Sequence, residues 1–487
     1  MTIAVQVPPP AGQLPADFLW GYATAAYQIE GSPEADGRGL SIWDTFSRDP
    51  AHTEDGKSGD IATDSYARYE EDIALMKSYG VTAYRFSLSW SRIIPLGGKN
   101  DPVNPAGIAY YRKFMKALIA NGIEPMCTLF HWDLPQALQD RYTGFCSRDI
   151  IEDFVNYAKV CFDNFNDLVN LWITINEPNV YALMGHCLGT QAPGRSSDRK
   201  ISPEGDSSLE PLIVGHNLLL SHGAIAKLYR EGGYKLPGKK LGIVINVNWG
   251  EPYDDTEESL EAAADFMSVT SEWYAHPVYC GDYSERTKRV IGANLPKFTP
   301  EEIELVKDSS DFFGLNHYTT YLIRRPSSEI SGSNMLMRFM GNVETTVTYP
   351  DGTEIGPKAG LSWVRPVPWG FKKLLKYLYK NYGKDIYITE NGVICPNEGS
   401  LPYPEILEDD YRISYFRDYV DQIIALKDSV PVKAYIGWSF LDNFEWQEGY
   451  TARFGVTYVD YEDNLKRYPK KSAIYMTEYM GKAIAKA

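Results

Sequence analysis

Eight short apolar or β-rich runs recur along the chain, starting at Phe18, Ala83, Glu124, Leu171, Leu241, Phe312, Ile386 and Ala434, at intervals of 41 to 74 residues. Most are nearly continuous in hydrophobicity rather than alternating, as in LGIVINVN and AYIGWSF, which is how strands covered on both faces read. A strand–helix unit needs about 30 residues, so every interval has room for a crossover helix and extra loop. Helical patterns fill those intervals. In residues 66–80, Tyr69, Ile73 and Met76 fall three and four apart, and Gly80 stands as a C-terminal stop. PAGIAYYRKFMKALIANG, DIIEDFVNYAKVCFDNF, LIVGHNLLLSHGAIAKLYR and GFKKLLKYLYKNYG read the same way. Eight alternations of strand and helix predict an α/β fold, a single (β/α)8 TIM barrel occupying 1–487 with its core over roughly 15–480. A doubly wound open sheet can show fewer such repeats, and no G-x-G-x-x-G follows any run.

The surplus length is unevenly placed. Gly-, Pro-, Ser- and charge-rich stretches lie at 47–61, 189–210, 324–360 and 395–409, each after a strand and before the next helix. In a barrel those loops rise from one rim, the face that carries chemistry, and long loops there predict the walls of a deep pocket.

Bulk numbers exclude some partners. The 48 Lys+Arg against 64 Asp+Glu leave a formal net charge of −16, which argues against nucleic acid, since that binding rests on basic neutralisation of phosphates. No stretch reaches the ~18 apolar residues of a membrane span, so no membrane partner is expected. The six cysteines show no CxxC pair, and the His216/His222 spacing matches no zinc motif, so neither metal nor cofactor is assigned. The acidic runs YDDTEESLEAAADF and YEEDIAL are read as solvated helix faces. The N-terminus lacks a basic-then-apolar leader, and no N-x-S/T sequon occurs, which favours a cytoplasmic protein. A mature secreted chain stripped of its leader would read the same way. Monomer and homo-oligomer both remain open.

Two strand ends pose the chemical question. YITENGV and LWITINEPN are apolar runs that stop at Glu390 and Glu177, where a carboxylate costs solvation free energy unless something pairs with it. Strand ends converge in a barrel, so the two can face one another. Two carboxylates across a pocket are the minimum equipment for glycosidic cleavage, one protonating the leaving oxygen and the other attacking the anomeric carbon or activating water. Taken singly, each could equally be a salt-bridge partner.

With these motifs in place, the chain resembles glycoside hydrolase family 1, β-glucosidase type, from FLWGYATAAYQIEG through GWSFLDNFEW and RFGVTYVD. The resemblance implies the barrel and a retaining mechanism. It assigns acid/base to Glu177 in TINEP and nucleophile to Glu390 in ITENG, which retention requires about 5 to 5.5 Å apart. Arg85, Asn316 and Tyr318 match residues that support the pair, and a guanidinium and a phenol beside Glu390 are expected to favour its anion. Arg85 pinning barrel strands through ion pairs would look identical in sequence. Gln28, His131, Trp132, Asn176, Trp438, Glu445, Trp446 and Phe454 match the family's sugar site, in which hydrogen-bonding groups meet the hydroxyls and an aromatic platform meets the C–H face. Singly, His131 and Trp438 read as ordinary core residues.

The implied substrate is a small neutral β-D-glucoside such as cellobiose, a short oligosaccharide or an aryl glucoside. Galactosides and fucosides share the expectation, because the discriminating hydroxyl is one group. Glu445 would repel a substrate phosphate, and an intact Glu177 separates the chain from thioglucosidases. A non-catalytic sugar-binding barrel is the reading from another class, and loss of either glutamate would have favoured it. After Glu177-Pro178 the chain has Asn179, where many fungal-type relatives carry tryptophan, which leaves the leaving-group side open. Trp363 is a candidate wall there or a loop-packing residue.

Overall fold

In the computed structural model, residues 6–326 and 335–486 are described. The first five residues of the N-terminal reading, and 327–334 of the 324–360 stretch, lie outside them. Eight strands close into a barrel: β1 (Leu19–Ala23), β2 (Ala83–Ser87), β3 (Glu124–Phe130), β4 (Leu171–Asn176), β5 (Lys240–Asn246), β6 (Phe313–Asn316), β7 (Ile386–Glu390) and β8 (Val432–Trp438). Each pairs in parallel with its sequence neighbours, and β8 closes on β1. All eight expected runs supply one strand each.

An outer layer of helices covers the strands: α1 (Ser65–Ser78), α2 (Pro105–Ala120), α3 (Asp149–Phe165), α4 (Glu210–Glu231), α5 (Trp273–Cys280), α6 (Pro368–Tyr382), α7 (Asp410–Leu426) and α8 (Lys471–Ala483). In α1 the residues spaced three and four apart, Tyr69, Ile73 and Met76, are the apolar ones buried, and Gly80 takes the positive φ that ends the turn. Pro105 opens α2 behind an Asn104 cap, and Gly383 closes α6 in the left-handed region.

The acidic runs are not wholly solvated. Asp72 in α1 is buried against Arg467 at 2.9 Å, and Asp265 is buried among Arg286, Arg289 and Arg325. Each run contributes one acid to the interior because distant arginines neutralise it. The 324–360 stretch is also more ordered than a plain loop. Thr320–Arg324 pairs with Trp249–Pro252 and Glu344–Thr346 in a three-stranded sheet on the rim.

Register aligns the strand mouths. Ala23 pairs with both Arg85 and Trp438, Asn246 with Asn316, and Glu390 with Asn316. The register shifts between Ile173 and Asn176 on β4 and between Ile388 and Glu390 on β7, the two strands that lead into the glutamates. Such irregularities re-aim side chains at a barrel rim.

Candidate active site

Glu177 follows β4 with φ 45° and ψ 62°, a left-handed conformation that a non-glycine residue adopts only where its surroundings impose it. Pro178 then opens a short helix, Pro178–Leu183, so the glutamate sits at a strand-to-helix corner and faces into the barrel mouth. Glu390 is the last residue of β7. Asn391 behind it is pinned four ways: its amide nitrogen donates to the His317 carbonyl at 2.7 Å and to the Tyr415 hydroxyl at 2.9 Å, its side-chain oxygen accepts from Tyr435, and its backbone carbonyl accepts from Trp438 N–H. A Cβ on Gly392 would lie 1.9 Å from the Trp438 carbonyl oxygen, so only glycine lets β7 and β8 approach this closely here.

Glu390 is held at both oxygens. Arg85 Nη1 donates to Oε1 at 2.5 Å and the Tyr318 hydroxyl to Oε2 at 2.6 Å. Arg85 is 1% exposed and also donates to Asn176 Oδ1 at 2.6 Å, so one guanidinium links the ends of β4 and β7. Glu177 has a different environment. Its Oε1 accepts from Asn316 Nδ2 at 2.6 Å and from Asn246 Nδ2 at 2.9 Å, and no cation among the described residues bonds it. Asn316 is oriented by the Thr389 hydroxyl, which donates to its Oδ1 at 2.7 Å. Both carboxyl groups therefore border a single cluster of Arg85, Asn176 and Asn316.

Their protonation follows. Burial, and then the charge of Glu390, push Glu177 up to about 8 against its two amide donors. Glu390 is also raised, because burial outweighs Arg85 and Tyr318. Both donors act in the expected direction, each favouring the anion, but burial is the larger influence. They limit the rise while Glu177 has only neutral donors, so a single proton on the pair belongs on Glu177. Tyr318 stays protonated, since burial and then the Glu390 and Glu177 carboxylates raise its phenol far above the ordinary value.

The remaining candidates line the same mouth. Trp132, at φ 76°, donates its indole N–H to the Asn176 carbonyl at 2.9 Å, and His131 Nε2 meets Asn176 Nδ2 at 3.0 Å. Burial, and then Arg85, hold His131 neutral. Gln28 donates to Asn443 Oδ1 and the Phe444 carbonyl, and its own Oε1 has no hydrogen-bond partner among the described residues. Trp438 donates its indole N–H to Glu445 at 3.3 Å, and burial lifts Glu445 to about 8. Trp446 packs against Trp43 and Trp132 at 4.6 and 4.7 Å between centroids, and Phe454 meets the Tyr318 ring edge-on at 6.0 Å. Trp363, 43% exposed, also meets Tyr318 edge-on.

The residue that sequence reading missed is Asn246. It ends β5 as Asn176, Asn316 and Glu390 end their own strands, so the rule of polar groups at barrel mouths could have found it. Spacing also gave no sign that Cys146, His186 and Glu210 come together, with the His186 ring nitrogen 3.7 Å from the thiol and 3.5 Å from the carboxylate. Arg195 already engages both Glu210 oxygens at 2.9 Å, so the trio reads as part of a half-buried ion pair.

Residues 11–483 match the profile of glycosyl hydrolase family 1. β-Glucosidase 1B of Phanerodontia chrysosporium is 52% identical over 481 residues, covering 98% of this chain and 87% of that protein. A family 1 β-glucosidase from the fungus Humicola insolens, solved in complex with glucose, superposes with a TM-score of 0.94 at 48% identity, covering 98% of this chain and 100% of that one. A mutant rice β-glucosidase solved in a covalent complex with Glc superposes with a TM-score of 0.93 at 42% identity, covering 97% and 100%.

Proposed function

This chain belongs to glycosyl hydrolase family 1, and from that premise we propose that it is a retaining β-glucosidase in which Glu390 is the nucleophile and Glu177 the general acid and base. The observation that carries the assignment is the unequal environment of the two carboxyl groups: one bonded by a guanidinium and a phenol, the other by two neutral amides and pushed up to about 8.

In the first half-reaction a Glu390 oxygen bonds to the anomeric carbon while Glu177 gives its proton to the departing oxygen. Esterification removes the Glu390 charge, and with it the second-largest cause of the raised Glu177 pKa. Glu177, now an anion, then takes a proton from the water that attacks the anomeric carbon. The covalent Glc complex of the rice relative is consistent with that intermediate in the family.

Gln28 Oε1 offers an unpaired acceptor, the Glu445 carboxyl is held by Trp438 and Gln28, and Trp438 offers a platform. That set suits a neutral glycosyl unit, with glucose favoured and galactose or fucose sharing most contacts. Both glutamates are in place, so the non-catalytic reading has no support.

Glu390→Gly tests the assignment. Turnover of a chromogenic β-glucoside should fall by ~10⁴-fold or more and return in part with azide, while the unaltered enzyme releases β-glucose first. Release of α-glucose first, or a Glu390→Gly enzyme of near-normal activity, overturns it.

A further inference from the structure

Donor and acceptor roles around Glu177 can be followed from a group that can only donate. Arg85 Nη2 donates to Asn176 at 2.6 Å, which makes the contacted atom the amide oxygen. Asn316 faces that same oxygen at 3.1 Å and must present its NH2 group. The same NH2 reaches Glu177 Oε1 at 2.6 Å, and Asn246 Nδ2 reaches it at 2.9 Å. Oε1 thus receives two N–H donors, which engage both of its lone pairs. Oε2 has no hydrogen-bond partner among the described residues. A proton on Oε1 would displace an amide and leave a buried N–H unmet, whereas a proton on Oε2 displaces nothing.

We infer that Asn246 and Asn316 confine the transferable proton of Glu177 to Oε2, which makes Asn246 a positioning residue for protonation of the leaving group. The inference rests on the assignment of Glu177 as acid and base. Asn246 is itself tethered: its backbone carbonyl accepts from Asn179 Nδ2 at 3.0 Å, and Asn179 lies in the first turn after Glu177. The corner that carries the acid and the strand end that orients it are thereby joined. As the glycosidic C–O bond breaks, its electron pair goes to the departing oxygen, which takes the Oε2 proton, and the Glu390 carboxylate forms the new bond to carbon. In the second half, Oε2 takes a proton from water as the water oxygen bonds to carbon and the Glu390 ester bond returns its pair to the carboxylate.

The discriminating measurement is kcat/KM for two substrates on Asn246→Ala: dinitrophenyl β-glucoside, whose leaving group needs no proton, and methyl β-glucoside, whose leaving group does. The inference expects methyl glucoside to lose at least about tenfold while dinitrophenyl glucoside changes by less than about threefold. Asn246→Leu, which keeps the shape and removes the donor, should show the same selective loss and serves if the alanine variant folds poorly. Equal losses on both substrates, or no loss on either, overturn the inference. Glu177→Ala is the separating arm. If it shows no leaving-group selectivity, the acid has been assigned to the wrong residue, whereas selectivity in Glu177→Ala without it in the Asn246 variants sinks only the role of Asn246.

Discussion

Two buried clusters of charge sit on the same side of the barrel and behave oppositely. Behind the loops after β7 and β8, Glu398, Asp409 and Asp442 meet Arg412, Lys470 and Arg453 in a network of three acids and three bases, with contacts of 2.5 to 2.8 Å. At the mouth, Arg85 bonds Glu390 and acts on Glu177 only through space, and the causes that set Glu445 include no cation. In the balanced network, burial pushes Glu398 up, but Arg412 and Lys470 outweigh it and hold that carboxyl down to about 2. Asp409 is raised by its burial despite the same cations. In the unbalanced site Glu177 and Glu445 both rise to about 8. Burial is common to both clusters. What separates Glu398 from Glu177 and Glu445 is the pair of cations that bond it directly.

The largest effect should come from the unbalanced cluster. Glu177→Gln should lower kcat/KM for cellobiose by ~10²–10⁴-fold, while the thermal midpoint holds or rises, because a surplus buried acid has been removed. A variant that loses activity and stability together would mean that Glu177 braces the fold, and the contrast would fail.

Arg412→Met is the mirror experiment. It leaves Glu398 and Asp409 short of a partner in a fully buried site, so unfolding free energy from denaturant titration should drop by ~3–5 kcal/mol at neutral pH. Because Glu398 is depressed below its unfolded value, its contribution is present above about pH 5 and is lost as pH falls towards 2. The unaltered protein should therefore lose stability over that acid window, and Arg412→Met should lose less. An equal slope in both would place the acid-sensitive group elsewhere.

Tyr318→Phe removes one donor from Glu390 and leaves Arg85 in place. A hydrogen bond to a charged group contributes about 1.5–3 kcal/mol, so kcat/KM should fall roughly 10- to 100-fold with little change in stability. A loss as large as that of Glu177→Gln would make the phenol more than a support.

The contrast also explains what could be read from sequence. The eight strands were legible because strands covered on both faces are continuous apolar runs, and Glu177 and Glu390 stood out as acids that such runs do not tolerate. Asp72 and Asp265 were misread as solvated because their partners are invisible locally; Arg467 lies 395 positions from Asp72. Asn246 escaped notice because asparagine at a strand end is unremarkable until its neighbour across the barrel is known. The register shifts on β4 and β7 that aim the glutamates are relations between strands, and no single run encodes them.

The smallest effect separates the two raised acids within the site. As the proposed acid, Glu177 has to be protonated to act first, so kcat/KM for an alkyl glucoside should be halved near pH 8 and fall about tenfold per unit above it. Burial lifts Glu445 to about the same value, and as a proposed sugar-binding group its ionisation should act on binding rather than on proton transfer. A dinitrophenyl glucoside needs no proton from Glu177 and should keep only the part of the limb that belongs to Glu445. Glu445→Gln should remove that part and leave the alkyl limb in place. If both substrates lose activity along the same curve in every variant, the group near pH 8 governs the pocket as a whole, and the division of labour between the two acids does not hold.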